Sequence, residues 1–316
     1  MKQYLLFLLI ISVTNTFSQS KRVQAITDYE RGEFYSKVSY TYDSEGRLSR
    51  SDFQGEDGPG DQLIMDFMYE GNTITIDVGG TSIRDLSRSV IHLDQGRATS
   101  MEVYGVGGDG KTPDYSDCTT YQFEYDGNGQ ITRVDMDYDT VEMTWSNGNL
   151  IKAHGMEKDE RSPFIWTYDY EFGDQDNPTL NPFFFEILED FVEYNLVYTQ
   201  HYLPQYFGKR SKKLISKLTD HSSEGSKTST RVYVFSYVLD SDGDIKELII
   251  VREDRSGEYI HYYVDYEGTS GISHLTHDSG KIQAIYDMGG VKRDYISKGM
   301  NIIKHSDGTT SKIVIK

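Results

Sequence analysis

The feature that most constrains this chain is a short turn phrase that returns between alternating strands. It reads Tyr40-Thr41-Tyr42-Asp43-Ser44-Glu45-Gly46-Arg47-Leu48, then Phe123-Glu124-Tyr125-Asp126-Gly127-Asn128-Gly129-Gln130-Ile131, then Val238-Leu239-Asp240-Ser241-Asp242-Gly243-Asp244-Ile245. Looser copies surround Asp94-Gln95-Gly96, Trp145-Ser146-Asn147-Gly148-Asn149-Leu150 and Asp278-Ser279-Gly280. The phrase has a mechanism. An Asp at the first position of a type I turn bonds the backbone two residues on. The following Gly then adopts the left-handed conformation of the adjoining bulge, which a Cβ would penalise. The chain therefore reverses tightly and leaves antiparallel. Period-two alternation on both flanks marks strands, so Tyr40 and Tyr42 share one face, as do Phe123 and Tyr125.

Hairpins repeated in sequence order give an antiparallel meander. A long meander must curl or close, because an open sheet leaves two adhesive edges. The expected fold class is all-β: a meander curled into a soluble β-barrel. One interruption is expected. Asn181 caps and Pro182 opens a segment through Tyr194 in which Phe184, Ile187, Leu188 and Phe191 form one helical stripe. This predicts an inserted helix over 182–194 that packs on the sheet or plugs the barrel mouth.

The apolar content of 37% is low for 316 residues, and 25 Tyr with 14 Phe compensate for it. Tyr suits a half-buried pleated surface, apolar below and wetted at its hydroxyl. The net charge of −18 repels phosphate backbones, so nucleic acid is excluded as a partner. Lys2, the apolar run Leu5–Ile11 and the small residues to Ser20 read as a cleavable signal cut between Ser18 and Gln19. Losing Lys2, the only charge there, takes the mature chain to −19. That run is too short to span a bilayer at ~20 residues per helix. The organisation expected is therefore a signal over 1–18, a barrel over 19–272 and a β-rich tail over 273–316. Export leads to the periplasm, cell surface or medium. A lone cysteine, Cys118, has no internal disulfide partner and reads as buried.

No catalytic grammar stands out. There is no Gly-x-Ser-x-Gly elbow, no phosphate loop and no zinc spacing, and His274 and His277 lie in strand or turn context. No cofactor is implied. Asp240-Ser241-Asp242-Gly243-Asp244 invites a calcium reading, but the sixth position is Ile245 and the twelfth Val251, so it reads as turn chemistry. Asp135-Met136-Asp137-Tyr138-Asp139 alternates as a strand, its carboxylates expected opposite basic side chains. The candidate ligand-binding residues are Trp145 and Trp166, a glycan platform if exposed on one mouth and core if buried. With them go Lys209, Arg210, Lys212 and Lys213, the one dense basic run. It reads as a solvated loop or as a docking spot for an anionic partner. Three function classes follow: a non-enzymatic binding or surface protein, a glycan- or peptide-cleaving enzyme, and a structural envelope component.

The turns at Tyr40–Leu48 resemble the tyrosine–aspartate repeats of large bacterial surface and toxin-wrapping shells. Together with Trp145–Lys152, Thr167–Tyr170, Asn181-Pro182 and Phe207–Leu214, they resemble an uncharacterised family of exported Bacteroidota proteins with a porin-like β-barrel fold. The resemblance covers about Ser36 to Gly271 and brings no assigned activity. The tail, with Tyr286-Asp287-Met288-Gly289-Gly290 and Lys298-Gly299 before a strand, is similar to the sorting domains of the type IX secretion route. That likeness implies contact with secretion machinery and removal of the tail. A terminal pair of hairpins completing the barrel explains the same residues.

Overall fold

A computed structural model describes residues 21–56, 62–80, 88–107, 112–157, 164–179, 181–183, 203–253, 259–267, 282–293, 296, 299–305 and 308–315. The first strands are β1 (Val23–Glu30), β2 (Glu33–Tyr42), β3 (Leu48–Gly55) and β4 (Gln62–Glu70). Next come β5 (Thr73–Gly80), β6 (Arg88–Asp94), β7 (Arg97–Val106) and β8 (Pro113–Tyr125). They continue with β9 (Ile131–Met136), β10 (Asp139–Ser146), β11 (Asn149–Glu157) and β12 (Phe164–Asp176). The last four are β13 (Lys213–Glu224), β14 (Lys227–Leu239), β15 (Ile245–Arg252) and β16 (Tyr259–Tyr266). Each strand pairs antiparallel with its sequence neighbour, and β1 pairs with β16, so the meander closes into a sixteen-stranded barrel. The all-β barrel expected from the turns is the fold.

The turn phrase is built as its chemistry requires. The Asp126 carboxylate accepts from the amides of Asn128 and Gln130, both at 2.9 Å, and Gly129 takes φ +81°. Asp43 and Asp240 repeat the same bonds, with Gly46 and Gly243 at +82° and +88°. Those amides hold the Asp126 carboxyl below the usual carboxylate range. The looser copies use another device. Gln95-Gly96 and Asn147-Gly148 both have positive φ at the two central residues, the two-residue hairpin geometry that follows strand twist. Asp278-Ser279-Gly280 lies outside the described residues.

The barrel wall has two faces of opposite polarity. Inward side chains such as Leu63, Met65, Ile74, Ile91, Tyr121 and Leu248 are buried in one continuous apolar cluster drawn from β3 to β16. Outward positions carry cross-strand ion pairs, among them Arg50–Asp66, Arg88–Asp77, Lys152–Asp169 and Lys217–Glu171. A membrane-spanning barrel needs the reverse, an apolar outer band around a polar interior. No helix among the described residues is long and apolar enough to cross a membrane.

The tail forms a second sheet of β17 (Ile282–Asp287), β18 (Lys292–Arg293), β19 (Gly299–His305) and β20 (Thr310–Ile315), in the order β18-β17-β19-β20. Its Ile285 and Ile303 pack against Val234, Ile249, Val251 and Tyr259 on the outward face of β14 to β16. It thus covers one patch of barrel wall from outside and adds no strand to the barrel. The Asp287 turn within it repeats the carboxylate-to-amide geometry of the barrel turns.

Two local expectations are corrected. Asp135 to Asp139 is not one strand: β9 ends at Met136, and the chain turns at Asp137-Tyr138. Arg133 does clamp Asp135, at 2.6 and 2.8 Å. Cys118 is half-buried rather than in the core. Of the expected helix over 182–194, Pro182 and Phe183 are irregular, and the rest lies outside the described residues, as do His274 and His277.

Candidate functional site

Among the described residues, four places bring chemistry-bearing side chains together. The first is the barrel end that carries the Asp turns. The described residues of the β12–β13 connection, 177–179, 181–183 and 203–212, lie at this mouth. Asn177 donates its amide to Lys212 O, and Leu203 and Phe207 are fully buried. Phe207 meets Phe123 edge-on at 5.3 Å, inside the apolar cluster. A single 3-10 turn, Pro204–Tyr206, precedes it.

This places the basic run. The Lys209 amide bonds Gly129 O at 2.8 Å and the Lys212 amide bonds Gly148 O at 3.1 Å, so the segment is laced to the tips of two other hairpins. Ser211 Oγ accepts from the Leu150 amide at 3.1 Å. Arg210 donates both terminal nitrogens to the carbonyls of Asn181 and Phe183. Lys213 pairs with Asp176 at 2.7 Å. The four basic residues lie on one segment, and their contacts brace the mouth. A shallow recess lies beside them, lined by Asn177, Asn181, Arg210, Lys213 and Tyr237 among others.

The two tryptophans are not together. Trp145 sits near the Asn147-Gly148 turn, half-buried, its indole N–H donated to Ile131 O at 2.6 Å. Trp166 lies near the start of β12, at the opposite end, buried and stacked on Tyr168 with ring centroids 6.1 Å apart. Gly155 faces it directly across the β11–β12 ladder. The registers therefore put the two rings at opposite barrel ends.

The second place is the outer wall near that opposite end. Tyr115 and Tyr138 are exposed, 62% and 76%. Tyr115 packs edge-on against Tyr104 at 5.0 Å. Arg88, bidentate on Asp77, also donates to the Tyr115 hydroxyl at 3.1 Å. Tyr104 in turn donates to Glu102, which pushes its hydroxyl up beyond the usual phenol range. Cys118 shares this wall, its thiol pushed up by burial.

The third place is the buried seam between barrel and tail sheet, which the sequence reading missed. Glu247, His261, Tyr263 and His305 are all buried there. His261 Nε2 lies 3.1 Å from Glu247 Oε2, and the Tyr263 hydroxyl lies 3.2 Å from His261 Nδ1 and 3.1 Å from His305 Nδ1. Burial holds the His261 imidazole below its ordinary value, against the opposing pull of Glu247. A signal was available in the run Leu248-Ile249-Ile250-Val251. A strand apolar at consecutive positions is covered on both faces.

Asp240, Asp242 and Asp244 converge as a metal site would, and the Lys21 ammonium lies among them, 2.8 Å from Asp240 and 3.5 Å from Asp244. The cluster thereby ties the start of the barrel strands to the β14–β15 turn.

Comparison with known proteins bears on the fold. Residues 40–247 match a family described as "Domain of unknown function (DUF4595) with porin-like fold". A porin-like protein from Bacteroides vulgatus ATCC 8482 is 17% identical, with TM-score 0.54, over 78% of this chain and 99% of its own. Another, from Bacteroides uniformis ATCC 8492, is 18% identical, with TM-score 0.52, over 78% and 96%. No curated protein matches.

Proposed function

We propose that this chain, which belongs to the DUF4595 family of porin-like fold, is an exported, non-enzymatic barrel that faces water and acts through its outer surface. The observation that carries this reading is the polarity of the wall. The described inward side chains are largely apolar, the described part of the β12–β13 connection is bonded to the turns at one mouth, and much of the exterior carries charged pairs. A lumen lined largely by apolar side chains such as Ile74, Leu248 and Phe123 suits neither an aqueous path nor a polar substrate. Function then falls to the surface.

The surface that fits a partner is the Tyr104–Tyr115 pair with Arg88, with Tyr138 exposed at the same barrel end. Exposed tyrosine rings beside a fixed guanidinium and carboxylates suit the apolar face and hydroxyls of a sugar, or a polar protein surface. Export rests on the N-terminal signal reading with its cut before Gln19. In support, Lys21, the third residue past that cut, is anchored to the Asp240 turn. The buried seam favours a tail that stays with the barrel over one removed during secretion.

The test is binding to polysaccharide and protein fractions from the producing cell's envelope. Tyr115→Ala with Tyr138→Ala is expected to weaken capture at least tenfold without lowering Tm. Equal capture by the double variant would sink the assignment of this wall.

A further inference from the structure

We propose that the tail sheet is held on the barrel by a proton-sensitive latch formed by Glu247, His261, Tyr263 and His305, and that mild acid loosens it. This concerns the seam and stands apart from the surface-binding reading.

With Glu247 ionised, the hydrogen-bond directions follow from the tautomer it selects at His261. Beside an ionised Glu247, His261 donates its Nε2–H to the carboxylate and leaves Nδ1 bare. Only the Tyr263 O–H can serve that Nδ1, and the Tyr263 oxygen then accepts from His305 Nδ1–H. The chain of three bonds runs from β19 through β16 to β15 with the His261 imidazole neutral. A proton added to His261 places an N–H against the Tyr263 hydroxyl, which then can no longer donate to that nitrogen. It also buries a cation in a seam otherwise lined by Val234, Ile249, Ile285 and Ile303.

Other titratable groups face the same seam. On β1, Tyr29 sets its ring edge-on to Tyr263 at 5.6 Å. On β16, Tyr259 is held up by burial, and so is Asp265 on the same face, which keeps a proton more readily than an ordinary carboxyl. From the tail, His305 is joined on β19 by the buried amide of Asn301.

The sign follows from linkage. The docked imidazole of His261 binds a proton less readily than a free one, so the undocked state takes up protons first as pH falls. Stability of docking is therefore present above ~6.5 and declines below it. One imidazole that stays neutral when docked and titrates freely when released weakens docking by up to about 30-fold between pH 7.5 and 5.0.

Hydrogen exchange of the full chain reads this directly. Protection of β19 amides, corrected for intrinsic rate and referred to β5 in the barrel, is expected to fall by on the order of ten- to thirty-fold from pH 7.5 to 5.0. His261→Gln keeps a donor for Glu247 and an acceptor for Tyr263 without titrating, and is expected to flatten that dependence. Tyr263→Phe cuts the link to His305 and is expected to lower β19 protection already at pH 7.5, with β5 unchanged. The proposal is overturned if β19 in the native chain loses no more protection than β5. It is overturned equally if His261→Gln keeps the native pH profile, or if Tyr263→Phe leaves β19 as protected as before.

Discussion

Gly155→Ala probes whether the lumen is packed. Gly155 stands opposite Trp166 in the β11–β12 ladder, with the indole over its Cα. A Cβ added there would lie 1.3 Å from the ring carbon Cη2 and 1.7 Å from Cζ2 and Cζ3. Carbon atoms in contact sit ~3.5–4.0 Å apart, so ring and methyl must separate by about 2 Å. The ladder fixes both backbones, and Trp166, only 5% exposed, is packed on Tyr168. Two limits bracket the cost. If the strands yield, overpacking costs about 1–3 kcal/mol. If the indole is expelled, the loss approaches that of truncating a buried Trp, about 3–5 kcal/mol. The expected cost is therefore about 3 kcal/mol, read as a lower urea midpoint at constant slope. A double-mutant cycle sharpens it. With Trp166→Ala already made, adding Gly155→Ala should cost under about 1 kcal/mol, because the clashing partner is gone. A single variant within about 0.5 kcal/mol of the native chain would refute the inward, packed placement of Trp166.

Other consequences follow from the same contacts. Phe207→Ala removes a fully buried ring from the braced mouth and should cost about 3–5 kcal/mol in urea unfolding. Arg210→Lys keeps the charge but loses the fork that spans the Asn181 and Phe183 carbonyls. It should cost about 2 kcal/mol and speed hydrogen exchange in residues 203–213. Asp28 faces the lumen against Ser36, and burial pushes its carboxyl up to about 6. The folded chain keeps that proton where the unfolded chain has lost it, so stability should fall as pH rises from about 4 to 6. Asp28→Asn should abolish that slope in the barrel transition.

How much of this was legible depended on how local the physics is. Asp43, Asp126 and Asp240 bond amides two and four residues away, so sequence alone carries the turn and with it the meander. Closure followed from the cost of open edges. The mouth was not legible. Lys209 and Lys212 looked like a solvated loop because their side chains are basic. Yet it is their backbone amides that matter, and these reach Gly129 and Gly148, far back in the chain. The Trp pair failed as a platform for a related reason. Residue type suggests stacking, but only the register reveals that Trp145 and Trp166 lie at opposite ends. The seam needed Glu247, His261 and His305 assembled from three strands in two sheets, which no spacing encodes.

For a porin-like barrel apolar inside and wetted outside, the direct measurement joins detergent-free purification of the full chain with conductance across planar lipid bilayers. The expected result is a protein that stays in aqueous solution without detergent and adds no conductance to the bilayer. A chain that needs detergent to stay dispersed and opens discrete ion-conducting steps would contradict it.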